Sequence, residues 1–107
     1  MRPIIEGLVW VGNARDARSL PQLHHAGIRV VVDLAIDEPA AQLSRDLAYC
    51  RFPLMDGAEQ SDSMLFLAVA TVQECLKGGV PTLVACSGGM SRSPAVVAVA
   101  IARWIRD

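Results

Sequence analysis

The chain has 107 residues, of which 52% are hydrophobic and 20% charged, and its formal net charge at pH 7 is -1. This length and composition predict a single domain over residues 1–107 and exclude a disordered chain. Without a cluster of lysine and arginine, a nucleic-acid partner is not expected. No apolar run reaches the roughly 18 to 20 residues that a membrane span needs, so we expect a soluble, cytoplasmic protein without a membrane partner.

The first quarter of the chain predicts a strand followed by broken helix. Residues 7–12 are aromatic and β-branched between two glycines, which is typical of a short strand. Asn13 is a suitable cap for residues 14–26, which are interrupted at Pro21 and closed by Gly27. We therefore predict two short helical turns or a broken helix there.

Two further strands are predicted in the middle of the chain. Residues 28–34 are almost continuously β-branched, which is typical of a strand covered by helices on both faces. The polar, alanine-rich stretch 37–47 predicts a loop with a short helix. Residues 48–54 predict a third core strand that ends at Pro53, because proline lacks the backbone donor that a ladder needs.

The second half predicts two helices separated by a strand. Apolar residues fall at helical spacing over 64–77, with Asp62 or Ser63 as the N-cap. Residues 81–86 predict another strand. Residues 93–105 are apolar nearly all round, which predicts a buried central helix. Strands that alternate with helices indicate an α/β layered domain.

The three cysteines do not form a metal-binding pattern. They stand at irregular spacings without a CxxC pair, so we predict neither a metal site nor a cofactor. Cys50 and Cys75 are interpreted as buried small hydrophobic residues. Cys86 differs because it ends a predicted strand and precedes a glycine-rich loop.

The loop CSGGMSR after this strand predicts an anion cradle. Successive backbone N–H groups can point inward there, and the N-terminus of the following helix adds positive potential. Glycines allow backbone angles that other residues avoid, and Arg92 can donate two parallel hydrogen bonds to a phosphate. The same field would lower the pKa of Cys86 from about 8.5 to below neutrality. The predicted phosphate-binding residues are Ser87, Gly88, Gly89, Met90, Ser91 and Arg92.

Reactive groups for phosphate chemistry surround this cradle. A Cys86 thiolate would attack phosphorus and form a thiophosphoryl intermediate, and the Ser93 hydroxyl would help the sulfur to leave. Asp56, on the loop after the third strand, is the preferred general acid and base. Glu59 and Asp62 are competing carboxylates on that loop, although Asp62 also suits a helix cap.

These residues resemble the dual-specificity protein phosphatases, within the cysteine-dependent tyrosine phosphatase superfamily. The family signature His-Cys-x-x-Gly-x-x-Arg-Ser/Thr, commonly with serine before the arginine, is matched at Cys86, Gly89, Ser91, Arg92 and Ser93. Residues 8–34 look like the opening strand, helix and second strand of the family, and residues 52–62 resemble its general-acid loop.

The resemblance implies a central mixed, largely parallel sheet of four to five strands flanked by helices. It also implies hydrolysis of phosphotyrosine, and of phosphoserine or phosphothreonine, in a phosphorylated protein or a small phosphomonoester. The site residues carried over are Cys86 as nucleophile, Arg92 as phosphate ligand, Asp56 as general acid and Ser93 as the hydroxyl that assists the thiolate.

Two features depart from the family pattern. Ala85 occupies the position of the family's histidine, which supports the loop, so we expect weakened activity and a higher Cys86 pKa than is usual for the family. The alternative is a catalytically impaired module that binds phosphoproteins or anions. The chain also ends at Asp107 without the family's last helices, and the exposed apolar surface would favour a homo-oligomer through this C-terminal face.

Overall fold

The computed structural model describes residues 1–54, 62–87 and 92–106, which form one sheet and four helices. The strands are Arg2–Ile5 (β1), Val9–Asn13 (β2), Val30–Ala35 (β3), Ala48–Leu54 (β4) and Thr82–Cys86 (β5). The helices are Ala14–Ala17 (α1), Leu20–Ala26 (α2), Asp62–Gly78 (α3) and Arg92–Arg106 (α4).

The strand order in the sheet is β1-β2-β5-β3-β4. Strands β2, β5, β3 and β4 run parallel to one another, while β1 pairs antiparallel with β2. Parallel strands need crossover connections. The chain crosses through α1 and α2 from β2 to β3, through residues 36–47 from β3 to its neighbour β4, and through α3 from β4 to β5. The predicted α/β class, with a mixed and largely parallel sheet, is confirmed.

Each face of the sheet carries its own layer of helices because side chains alternate along a strand. In β5, Leu83 and Ala85 belong to the core cluster that includes Ala17 and Leu23 of the short helices. Cys86 belongs instead to the core cluster formed with α3 and α4. Neighbouring residues of one strand therefore face different helical layers.

The edges of the sheet differ from the sequence predictions. Strand β1 was not predicted, because most of its side chains are exposed and it lacks an apolar alternation. Strand β4 lies at the opposite edge rather than in the core, with most side chains exposed or half-buried. It continues through Pro53 to Leu54, which pairs with Ala35 after a register shift. An edge strand tolerates proline because one side of its backbone has no ladder partner.

The short helices begin and end largely as predicted. Asn13 caps α1 through a reciprocal pair of 2.9 Å hydrogen bonds with Asp16, in which each side chain accepts from the other residue's backbone N–H. The break falls at residues 18–19 rather than at Pro21, which occupies the first turn of α2, where its missing N–H is harmless. Gly27, at φ 75°, ends α2.

The short helix predicted within 37–47 is not formed. Side chains from neighbouring elements hold the backbone there. Arg18 and Arg51 donate to carbonyl oxygens of this stretch, and the Tyr49 hydroxyl accepts from the N–H of Ala41 at 3.1 Å. These long-range hydrogen bonds satisfy backbone groups that a helix would otherwise have paired.

The first long helix, α3, contains the predicted span 64–77 and is followed by a left-handed glycine. It begins at Asp62, so the two predicted caps lie within its first turn. At the other end Gly79 has φ 67°, and the N–H of Val80 donates to the carbonyl of Cys75 at 2.9 Å. This pattern is a Schellman motif, which pairs carbonyls left open at the end of the helix.

The last helix, α4, is buried on one side only, contrary to the prediction of a central helix. Val99 is 48% exposed and Ile105 is 75% exposed, and Arg103 lies over the ring of Phe66 in α3, 5.9 Å from its centroid. Among the described helices, none has the length and apolarity needed to cross a bilayer.

The homo-oligomer through the exposed C-terminal face stays a prediction, which light scattering checks: a strictly monomeric protein would contradict it.

Candidate functional site

The carboxyl ends of the parallel strands meet at one edge of the sheet. Cys86, the last residue of β5, stands beside Asn13, the last residue of β2, in the strand register. The neighbouring strands β3 and β4 end there at Ala35 and Leu54, which also pair. Ligands of open α/β sheets bind outside the carboxyl ends of the strands, so this edge is where a functional site is expected.

A crevice opens between the ends of β2 and β5. The helices that follow these adjacent strands pack on opposite faces, since α1 covers the Ala85 side and α4 covers the Cys86 side. Because the chain leaves β2 toward one face of the sheet and leaves β5 toward the other, the two strand-to-helix connections separate and leave room for a ligand. A cavity of about 410 Å³ lies at this place. Its lining residues are Asn13, Ala14, Arg15, Arg18, Glu38 and Ser87.

The junction between β5 and α4 brings together part of the predicted site. Cys86 is 1% exposed, and Ser87 follows it at the crevice. Arg92 and the fully buried Ser93 begin α4. The remaining predicted site residues lie outside the described residues, and they are Asp56, Gly88, Gly89, Met90 and Ser91, together with the competing carboxylate Glu59.

Unsatisfied polar atoms cluster at this junction. Within the described residues, Ser87 Oγ, Arg92 Nε and Ser93 Oγ are buried and lack a hydrogen-bond partner. An unpaired buried polar group costs about 1–3 kcal/mol, so folded proteins rarely retain one without a reason. A bound oxyanion would supply the acceptor oxygens that hydroxyl and guanidinium donors lack here.

Arg92 also connects the loop to β4. Its Nη1 donates to the carbonyl oxygen of Leu54 at 2.7 Å, which joins residues 38 positions apart in the chain. Leu54 is the last residue of β4, and the predicted general acid Asp56 follows it by two positions. A guanidinium has five N–H donors, so this contact leaves others available for an anion.

Ala85 faces away from the nucleophile and toward a buried carboxylate. It is fully buried and lies opposite Asp33 in the register of β3 and β5. Asp33 is 1% exposed and accepts from the Tyr49 hydroxyl at 2.5 Å and from the N–H of Ala35 at 3.0 Å. Burial, followed by the hydrogen bond to Asp33, raises the pKa of Tyr49. The polar group that lies opposite Ala85 in the sheet is therefore a carboxylate hydrogen-bonded to Tyr49 and Ala35.

Sequence reasoning missed this carboxylate and the basic wall of the crevice. Asp33 is a charged residue inside an apolar strand sequence, VVVDLA, and a charge in such a run is a recognisable signal of a buried polar contact. Arg15 and Arg18 carried no signal, because surface arginines on a short helix are usually solvated. Their position at the crevice depends on how α1 packs.

The other cysteines are separate from the junction. Cys50 in β4 and Cys75 in α3 are free and half-buried rather than fully buried. Burial, and then the neighbouring Cys75, raises the pKa of the Cys50 thiol, which disfavours a thiolate. Among the described residues, no three His, Cys, Asp or Glu side chains are grouped to hold a metal ion.

Proteins of a known family match nearly the whole chain. Residues 8–105 match a family model described as "Polymorphic toxin system, DSP-PTPase phosphatase". Dual specificity protein phosphatase 22 of Xenopus laevis is 34% identical over 98 residues, which cover 91% of this chain and 46% of that protein. Human dual specificity protein phosphatase 9 is 31% identical over 90 residues, which cover 82% of this chain and 23% of that protein. The chain spans less than half the length of these two relatives.

Solved structures show the same architecture. Human DUSP28 superposes with a TM-score of 0.83 at 25% identity, covering 100% of this chain and 74% of that one. A mouse dual specificity phosphatase, complexed with zinc tungstate, gives a TM-score of 0.76 at 29% identity, covering 89% and 60%. The chain therefore belongs to the DSP-PTPase family, the dual-specificity phosphatases of the protein tyrosine phosphatase superfamily.

Proposed function

We propose that the chain hydrolyses phosphomonoesters through a cysteinyl-phosphate, acting on phosphotyrosine and on phosphoserine or phosphothreonine in proteins. The observation that carries the proposal is the set of unpaired buried atoms on Ser87, which directly follows Cys86, and on Arg92 and Ser93, which begin α4. Tungstate is a tetrahedral oxyanion like phosphate, and its presence with the mouse relative supports the same chemistry. The matched family suggests a polymorphic toxin system as the setting.

Binding of the phosphate would use charge and backbone donors together. Arg92 would donate to phosphate oxygens while its Nη1 stays on Leu54. The N-terminus of α4 would add the positive end of a helix dipole. The backbone N–H groups proposed as the rest of the cradle are those of Ser87, Gly88, Gly89, Met90 and Ser91.

Two displacements at phosphorus would complete the reaction. In the first, the Cys86 thiolate forms the P–S bond as the bond to the leaving oxygen breaks, and Asp56 gives that oxygen a proton. In the second, the Asp56 carboxylate takes a proton from water, which attacks phosphorus. The P–S bond breaks, Ser93 donates to the departing sulfur, and inorganic phosphate is released.

Hydrolysis of a small aryl phosphate tests the proposed function directly. Release of inorganic phosphate that depends on Cys86 would support an enzyme. Tight binding of phosphate without turnover would instead favour the impaired binding module. In a toxin setting, cells that produce the wild-type chain should grow more slowly than cells that produce the Cys86→Ser chain.

Changing Ser93 to alanine should separate catalysis from folding. Because its buried hydroxyl has no partner among the described residues, we expect stability to change by less than about 1 kcal/mol. Losing a hydrogen bond to the departing thiolate should slow breakdown of the cysteinyl-phosphate about 10- to 100-fold. Rapid-mixing kinetics should then show a burst of the aryl alcohol.

Ser19 offers the matched control, since it precedes α2 and its side chain makes no capping hydrogen bond. The Ser19→Ala protein should keep both wild-type stability and wild-type kinetics. A Ser93→Ala protein that unfolds more easily, yet turns over normally, would assign Ser93 a structural role.

Changing Asp56 to asparagine should affect poor leaving groups most. General acid catalysis is worth about 10²- to 10⁴-fold, so hydrolysis of an alkyl phosphate should fall by that amount. Hydrolysis of an aryl phosphate with an acidic phenol should fall less, because that leaving group needs little protonation. The ratio of the two rates measures the effect. If Glu59→Gln or Asp62→Asn slows the alkyl phosphate more than the aryl phosphate and Asp56→Asn does not, then Asp56 is not the general acid.

Ala85 should leave the Cys86 thiolate less stabilised than a histidine would. We expect alkylation of Cys86 to follow a titration with a midpoint above about pH 6. Mass spectrometry of the alkylated peptides separates Cys86 from Cys50 and Cys75. A midpoint clearly below pH 6 would show that Ala85 has little consequence for the nucleophile.

A further inference from the structure

We propose that the crevice between β2 and β5 is a subsite for an anionic group of the substrate, a carboxylate or a second phosphate beside the phosphorylated residue. This inference rests on the proposed phosphatase function and adds a preference for acidic substrates. The crevice is defined by the residues that line it, namely Asn13, Ala14, Arg15, Arg18, Glu38 and Ser87.

The crevice adjoins the proposed phosphate cradle. Ser87 lines it and directly follows Cys86, and Asn13 on its other side pairs with Cys86 in the register. A peptide whose phosphate occupies the cradle would therefore place a neighbouring side chain at the crevice. Its volume of about 410 Å³ is enough for a side chain.

The charges that line the crevice favour an anion. The Arg15 side chain is exposed and makes no hydrogen bond or ion pair among the described residues, whereas the Arg15 backbone carbonyl accepts from the N–H of Arg18 at 3.1 Å. Arg18 donates to two carbonyl oxygens, those of Ala14 at 2.7 Å and Pro39, which are uncharged, so its positive charge is not neutralised by them. Glu38 is the opposing charge. Two guanidinium groups against one carboxylate leave an excess of positive charge.

The walls of the crevice are held in place before a ligand arrives. The capping box between Asn13 and Asp16 stabilises the corner from β2 into α1. Arg18 joins α1 to the stretch after β3, and Arg51 donates to the backbone of Glu38 in that stretch. A site that needs little ordering loses little affinity on binding.

Exposure limits the size of the effect. Arg15 is solvent-exposed, and an ion pair in that setting changes an equilibrium by only a few fold. We expect kcat/KM for a phosphopeptide with a flanking glutamate to exceed that for the glutamine peptide about three- to fivefold. The preference should shrink at high salt, because ions screen exposed charges.

The experiment compares phosphotyrosine peptides of one sequence in which a flanking position is glutamate, glutamine, lysine or a second phosphorylated residue. An aryl phosphate without a second anionic group serves as the reference substrate. The variants are Arg15→Gln, Arg15→Glu and Glu38→Gln. Arg29→Gln is the control, because Arg29 is exposed at the opposite end of the sheet, where its N–H donates to Pro81.

We expect Arg15→Gln to remove the acidic preference, Arg15→Glu to reverse it and Glu38→Gln to increase it. Every variant and the control should hydrolyse the aryl phosphate as the wild type does. The flanking group that raises kcat/KM more, glutamate or the second phosphorylated residue, is the anionic group that the crevice binds better.

Two results overturn the subsite in different ways. If the wild type hydrolyses the aryl phosphate but shows no acidic preference, prefers lysine, or keeps an acidic preference in the Arg15→Glu protein, the subsite fails and the phosphatase function stands. If the wild type hydrolyses none of these substrates, the proposed function fails, and the subsite fails with it.

Discussion

Changing Cys86 to serine is expected to abolish hydrolysis while leaving phosphate binding intact. A serine hydroxyl is not ionised near neutral pH, so the first displacement loses its nucleophile. The substitution is nearly isosteric, and it therefore disturbs little of the core cluster in which Cys86 is 1% exposed. We expect kcat to fall at least about 10⁴-fold, as for other enzymes that lose a nucleophile. The rate of phosphate release from an aryl phosphate measures this fall in kcat.

Cys75→Ser provides the matched control for this variant. Cys75 is a free, half-buried thiol in α3, outside the β5–α4 junction, and its serine variant should retain wild-type turnover. Calorimetric titration with phosphate or tungstate should give similar affinity for the wild type and the Cys86→Ser protein. Full turnover by the Cys86→Ser protein would remove Cys86 from the mechanism.

Changing Arg92 to lysine should also have a large effect, and it should reduce phosphate binding as well as the rate of hydrolysis. Lysine keeps the charge but cannot donate two parallel hydrogen bonds to a phosphate. It also loses the 2.7 Å hydrogen bond that holds Leu54 at the end of β4. By analogy with the loss of an oxyanion donor, kcat should fall about 10²- to 10³-fold.

The two variants therefore differ in a measurable way. Cys86→Ser should bind phosphate without turnover, whereas Arg92→Lys should bind it weakly and turn over slowly. Arg103→Lys is the matched control, because Arg103 belongs to the same helix and is exposed over the Phe66 ring. An Arg92→Lys protein with wild-type phosphate affinity would contradict the proposed role of Arg92 as phosphate ligand.

Much of the fold was predictable from local patterns. The largely apolar stretches that form β3 and β5 are buried on both faces, so their side chains signal a strand without reference to any partner. Strand β1 is not predicted from the sequence because its exposed side chains carry no such signal. The burial of α4 was overestimated for a related reason. Apolar composition shows that a helix can be buried, but its neighbours decide which side is covered.

The sequence by itself determined the candidate loop, because a cysteine, glycines and an arginine within seven consecutive residues suffice to indicate an anion cradle and a nucleophile. Only the tertiary structure decided which distant groups meet that loop. The contact from Arg92 to Leu54, the carboxylate of Asp33 opposite Ala85, and Arg15 at the crevice with Ser87 all join residues far apart in the chain. The strand order β1-β2-β5-β3-β4 brings them together, and that order depends on crossover packing, which no local pattern in the chain encodes.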